Sequence, residues 1–130
     1  MNKKTLKNKI GIQGKYRLIT TDSITGEVKR ISEHENLVMD GTGTGVNIIA
    51  RLLAGDNTYS LAITKAKIGT GTTPATDADT DLQTPTFTKN SVADQTVTAG
   101  QAIISFFMTT SELANGTYTE FGIFAGTQLF

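Results

Sequence analysis

Residues 15–34 read KYRLITTDSITGEVKRISEH, and the period of this stretch decides the fold class. Tyr16, Leu18 and Thr20 alternate with Lys15, Arg17 and Ile19. A period of two is the signature of a strand with unlike faces. DSITGE, residues 22–27, then gathers turn formers, and VKRISEH resumes as a second strand of similar length. The pair predicts an antiparallel hairpin near the start of the folded region.

Working outward from that hairpin, the period changes once. In NLVMDGTGTGVNIIARLLAGD, residues 36–56, Val46, Ile49, Ala50 and Leu53 follow helical spacing, and Ile48 and Leu52 widen the stripe. Thr42 or Thr44 stands where a helix is capped, and Gly55 where one ends in a left-handed residue. One short helix is expected near residues 44–54. Downstream, YSLAITKAKIG (59–69) alternates as a strand. Its Leu61, Ile63, Lys65 and Lys67 lie on one side, and Ala62, Thr64, Ala66 and Ile68 on the other. TFTKNSVADQTVTAGQAIISFFMTT (86–110) suggests two or three strands, with turns at Lys89–Asn90 and Ala99–Gly100. AIISFFM (102–108) is apolar on both faces and is therefore expected to be a central strand. In NGTYTEFGIFAG (115–126), Asn115–Gly116 signals a tight turn. Thr119, Phe121 and Ile123 share one face, which leaves Glu120 on the outer one. Short strands with frequent turns predict a mainly β, antiparallel β-sandwich or partly closed barrel with the one helix.

Composition bounds the rest. The 130 residues include no cysteine and no tryptophan, which excludes a disulfide framework and thiolate chemistry. Apolar runs fall short of a membrane span. The start is basic, but no apolar segment follows as in a signal peptide, so a soluble chain made in a cytoplasm is expected. The net charge of zero is unevenly placed. Lys3, Lys4, Lys7, Lys9 and Lys15 give the first fifteen residues five positive charges and no acid, leaving a net of −5 on the remainder. Residues 1–13 read as a basic arm and residues 14–130 as one domain. Such an arm fits an acidic neighbouring surface. Without interleaved aromatics, and on an acidic body, it does not fit nucleic acid.

No catalytic constellation emerges. GTGTG (41–45) precedes the helix, but a dinucleotide fingerprint would need its third glycine at Val46, and neither glycine loop carries the lysine of a phosphate loop. Asp77, Asp79 and Asp81 repeat the first half of a calcium loop. The position for the sharp-turn glycine is Leu82, and that for the bidentate acid is Thr88. A solvated connection is the expected role of this loop, with weak calcium binding left open. His34 is the sole histidine, and no serine sits in a nucleophile elbow. Glu112 and Glu120 are the residues that could pair for glycoside hydrolysis, but there is no tryptophan to stack a sugar. No enzyme, cofactor or metal is expected.

NLVMDGTGTGVNIIARLLAG, ITKAKIGTGTTPATDADTDLQTP and NGTYTEFGIFAG, in that order, resemble small β-rich virion proteins of tailed bacteriophages, associated with tail fibres or baseplates. The resemblance spans about residues 14–125, and IGTGTTPATDADTDL is its most specific part. It implies a non-enzymatic virion protein, folded in the host cytoplasm, that assembles with other copies of itself, a trimer being one form. Partners would be neighbouring tail, baseplate or capsid proteins. The Gly-Thr loop would be a structural connection, with Leu82 tucked against the core. The family pattern continues past EFGIFAG, whereas this chain stops at TQLF, so Leu129 and Phe130 are expected either in an assembly contact or followed by further chain. Lys3, Lys4, Lys7 and Lys9 would supply salt-sensitive docking. The alternatives are a capsid decoration protein and, less favoured, a carbohydrate-binding module for host glycans.

Overall fold

The computed structural model describes residues 12–41 and 43–130. The order is β1 (Gly14–Thr21), β2 (Val28–Asn36), α1 (Gly45–Leu53), β3 (Ile63–Gly69), β4 (Pro85–Lys89), β5 (Asp94–Thr98), β6 (Gln101–Ser105), β7 (Glu120–Ala125) and β8 (Gln128–Leu129). The chain is mainly β, with one short helix, and every strand pair is antiparallel. The strands divide into three sheets: β1–β2, the four-stranded β4–β3–β7–β8, and β5–β6. No barrel closes among the described residues.

The hairpin at the start forms as its alternation predicts, with Tyr16 opposite His34 and Ile19 opposite Ile31. Asp22 organises its turn by accepting the N–H groups of Ile24 and Thr25 at 2.8 and 2.9 Å. Helix α1 begins after Thr44. The Thr44 hydroxyl does not cap the helix; it donates back to the Gly41 carbonyl at 2.8 Å. Thr42 lies outside the described residues. At the other end Gly55 has φ +80°, the left-handed stop its position predicts. The Asp56 N–H reaches the Arg51 carbonyl at 2.8 Å.

The buried apolar residues are Met39, Ile48, Ala66, Ile68, Phe124, Ala125 and Leu129. They come from the four-stranded sheet, the helix and the segment before it. Of the two faces of β3, the one bearing Ala66 and Ile68 is buried. Met39, Phe124 and Leu129 form one cluster, and Leu82 packs against it.

AIISFFM is not a central strand. β6 stops at Ser105, pairs only with β5 and is mostly exposed. The positive-φ turn at Ala99–Gly100 hands β6 the partner next to it in sequence. Apolar composition on both faces does not by itself bring a second neighbour. The central positions go to β3 and β7, each flanked on both sides. The Asn115–Gly116 signal marks a bend between β6 and β7 and joins no two strands. The tight hairpin of this region falls at Gly126–Thr127, where Phe124 pairs with Leu129 and Ala125 with Gln128.

Candidate functional site

The densest polar constellation is built on Glu120, the first residue of β7. Strand alternation puts Glu120 on the same side as Gly122 and Phe124, both buried. This reverses the expectation of an outward-facing Glu120. That expectation held only one face of β7 to lie inward, whereas both are covered: Phe121 and Ile123 lie beside buried Ile68 and Ala66, and Gly122 and Phe124 are buried on the other side. The carboxylate then meets the Gly-Thr loop that joins β3 to β4. Its Oε1 accepts the N–H groups of Gly71 and Thr84, each at 2.7 Å. Its Oε2 accepts the N–H of Gln83 at 2.7 Å. A charged acceptor on several amides makes short, strong bonds.

The neighbours of Glu120 complete the clamp. The Thr119 N–H donates to the Gly69 carbonyl at 3.0 Å, and the Thr119 hydroxyl to the Gly71 carbonyl at 2.7 Å. The Thr70 N–H donates to the Thr84 carbonyl at 3.0 Å. A Cβ on Gly69 would collide with the backbone of Thr84, and one on Gly71 would sit 2.6 Å from the Glu120 carboxylate. The glycines of GTGT are therefore required by close approach. No phosphate is needed to explain them.

Each loop aspartate has its own task. The Asp81 carboxylate takes the Lys67 ammonium, with Nζ at 2.8 Å from Oδ1 and 2.7 Å from Oδ2, and also the Leu82 N–H at 2.8 Å. Lys67 lies 4.6 Å from the centre of the Phe124 ring, so its charge caps one face of the core. Asp79 accepts the Thr76 N–H at 3.0 Å and the Thr76 hydroxyl at 2.8 Å. These bonds lower its carboxyl below the ordinary range, the backbone bond contributing most. Asp77 meets the segment before the helix through its main chain, the Asp40 N–H donating to its carbonyl at 2.8 Å. Among the described residues no three His, Asp or Glu side chains come together as a metal site.

The remaining chemistry-bearing residues are also engaged locally. The Glu112 carboxylate accepts from the Lys89 ammonium at 2.6 Å and the Thr109 N–H at 2.9 Å, which lowers its pKa, the Lys89 bond contributing most. His34 stacks on Tyr16 with ring centroids 5.1 Å apart, and Tyr16 in turn lies 4.9 Å from Phe121. In GTGTG, Gly45 lies so close to Met39 that a Cβ would strike its backbone, and a Cβ on Gly43 would come within 2.8 Å of the Tyr59 ring. The Val46 N–H at the helix start is already taken by the Met39 carbonyl at 3.0 Å, so this amide is not available to an anion.

Two open clefts lie on the surface. One, of about 430 Å³, runs past Ile12, Lys15, Glu35, Leu37, Asp40 and Asp77. The other, of about 390 Å³, lies between Phe87, Glu112, Leu113 and Tyr118. Neither brings a nucleophile against a base.

The interface residues expected from the sequence fare differently. Lys3, Lys4, Lys7 and Lys9 lie outside the described residues. Leu129 is buried in its own chain against Met39 and Phe124, so it offers no apolar surface to a neighbour. Phe130 is half-buried; its N–H donates to the Ile123 carbonyl and its carbonyl accepts the Met39 N–H, both at 2.9 Å. The exposed apolar surface is elsewhere, on the two ribbons, at the end of α1, where Leu53 is 84% exposed, and at Leu37, Val46 and Phe107. Ile24 at the tip of β1–β2 is 93% exposed, and Val97 on β5 is 81% exposed. Ile19, Ile31 and Ile103 are also exposed.

Comparison with known protein families, with curated proteins and with solved structures finds no match to this chain.

Proposed function

We infer that the chain is a non-enzymatic structural protein of a bacteriophage virion, a module of a tail fibre or baseplate that works by binding copies of itself and its neighbours. The observation that carries this reading is the Glu120 clamp. Two of the segments that carry the resemblance to such proteins, IGTGTTPATDADTDL, its most specific part, and TEFGIF, are the two sides of it. Their distinctive residues are thereby accounted for by loop anchoring, without a substrate. Glu120 and Glu112, the pair considered for glycoside hydrolysis, are both engaged by amides or an ammonium.

The exposed ribbons support the same reading. A two-stranded ribbon is marginal alone in water, and exposed apolar patches mark interaction surfaces. A chain that leaves apolar side chains exposed on its ribbons gains from association. In a particle, repetition multiplies such contacts through effective concentration.

Gold-labelled antibody against the chain, applied to phage particles purified from cells that express it, tests the assignment. Label at the tail is expected. Label on the head would transfer the chain to the capsid decoration proteins, and unlabelled particles would overturn the virion reading. Glycan-array binding by the isolated chain would favour the carbohydrate-binding alternative.

A further inference from the structure

One face of the β1–β2 ribbon is patterned along its length. On β1 it carries Lys15, Arg17, Ile19 and Thr21, and opposite them on β2 stand Glu35, Glu33, Ile31 and Val28. Val28 belongs to this face because the register shifts between Thr20 and Thr21. Without that bulge Val28 would alternate onto the side of Arg30. All eight residues are exposed, Ile19 at 52% and Ile31 at 58%. The opposite face bears Tyr16, which packs on Phe121, so the patterned face points away from the four-stranded sheet; its Lys15–Glu35 end borders the cleft that also touches Asp40 and Asp77.

The pattern is self-complementary. Basic residues lie on one strand, acidic residues at matched levels on the other, and the apolar residues fill the far half. Consider a second ribbon laid face to face about a two-fold axis parallel to the strands. β1 of each copy then lies over β2 of the other, at the same level. Lys15 faces Glu35, Arg17 faces Glu33, Ile19 faces Ile31 and Thr21 faces Val28. A two-fold axis across the strands would instead set the charged half of one copy on the apolar half of the other. Charge and polarity thus select one of the two face-to-face arrangements.

We propose that this face is a homodimer interface, in which two β1–β2 ribbons stack into a two-layer, four-stranded sandwich with the strands of the two copies aligned. The layers sit about 10 Å apart, as stacked sheets do. Within each copy the Arg17 guanidinium already meets Glu33 at 3.1 Å and the Lys15 ammonium lies 3.8 Å from the same carboxylate, so the contact joins these groups and Glu35 of both copies into a network of eight charges. The exposed isoleucines gain the cover that a lone ribbon lacks. The inference is independent of any virion role, since it concerns self-association of the purified chain.

The test is sedimentation velocity on the full chain, with a charge exchange. Wild type is expected to show a dimer at roughly micromolar concentration. Lys15→Glu/Arg17→Glu and Glu33→Lys/Glu35→Lys should each weaken it by on the order of tenfold or more, because like charges then face one another. Mixing the two variants should restore a heterodimer. Ile19→Thr/Ile31→Thr keeps the β-propensity and the intrachain ion pairs, and should also weaken the dimer. A wild-type chain that stays monomeric at concentrations about a hundredfold higher overturns the proposal. So does a dimer indifferent to all three variants, or a mixture that fails to pair. If a charge variant frays its own ribbon, the mixture still decides, because only complementary faces can rescue each other.

Discussion

The four-stranded sheet and the two ribbons are made of similar residues, yet they stand in opposite relation to water. In β7, Phe124 is 2% exposed, and the Glu120 carboxylate beside it anchors three loop amides. In β5 all five residues are exposed, although Val97 lies there, and β6 adds Ile103 to the exposed set. Both regions carry threonine, in β3 and β4 as in β1 and β5, and both contain a strand with apolar residues on its two faces, β7 and β6. What separates them is the range of their partners. β7 pairs with β3 more than fifty residues earlier in sequence, and its first side chain reaches back to the loop that follows β3. The ribbons pair with their neighbours in sequence and leave their outer surfaces free. Burial in this molecule follows long-range pairing more closely than it follows hydrophobicity.

The contrast can be broken most directly at Phe124. Phe124→Ala should cost about 4 kcal/mol, the range for emptying a packed aromatic site, read as a lowered urea midpoint with an unchanged slope. A cost below about 1 kcal/mol would mean that this cluster is not the core. Glu120→Ala should be next, at about 2–3 kcal/mol, because it leaves the amides of Gly71, Gln83 and Thr84 without their charged acceptor. Hydrogen exchange at those amides should quicken while the β1–β2 amides are unaffected. Uniform quickening would contradict a local clamp.

Acid should produce a smaller, graded loss. Asp56 is held at about 2, chiefly by the Thr58 hydroxyl, then by the Thr58 N–H and Arg51. Its folded value lies below the ordinary carboxylate value of 3.8. The stabilisation is therefore complete above that ordinary value and fades as pH falls towards 2. Asp22, Asp79 and Glu112 are lowered in the same direction and add to the trend. Asp56→Asn should flatten the acid limb of a plot of melting temperature against pH. An unaltered limb would place the titration elsewhere. The smallest effect is expected on the ribbons. Ile24→Ser at the tip and Val97→Thr on β5 should each stay within about 0.5 kcal/mol for the isolated chain. A larger loss would show that these residues are covered in the free protein, which would erase the comparison.

The local features were legible from residue types. The DSITGE turn, the helix to within a residue or so of its ends, the Gly55 stop and the Ala99–Gly100 turn all rest on a few consecutive residues. The packing of Leu82 against the core, which the resemblance implied, is also present. The role of Glu120 was not legible. Nothing within a few residues of Glu120 distinguishes it from a solvent-facing strand glutamate. The glycines at 69 and 71 that mark its partner are about fifty positions away, where they read as ordinary turn formers. The same distance hid the central place of β7, and it gave AIISFFM a centrality that belongs elsewhere.

By itself the sequence determined where the chain turns, where its period changes from two to that of a helix, and that it carries no cysteine, because backbone preference and side-chain identity act over a few bonds. Tertiary structure alone decided which strand is flanked on both sides, that both faces of β7 are covered and which amides Glu120 holds. Those outcomes depend on strands far apart in sequence competing for the same neighbours, and that competition is settled by hydrogen-bond register and close packing.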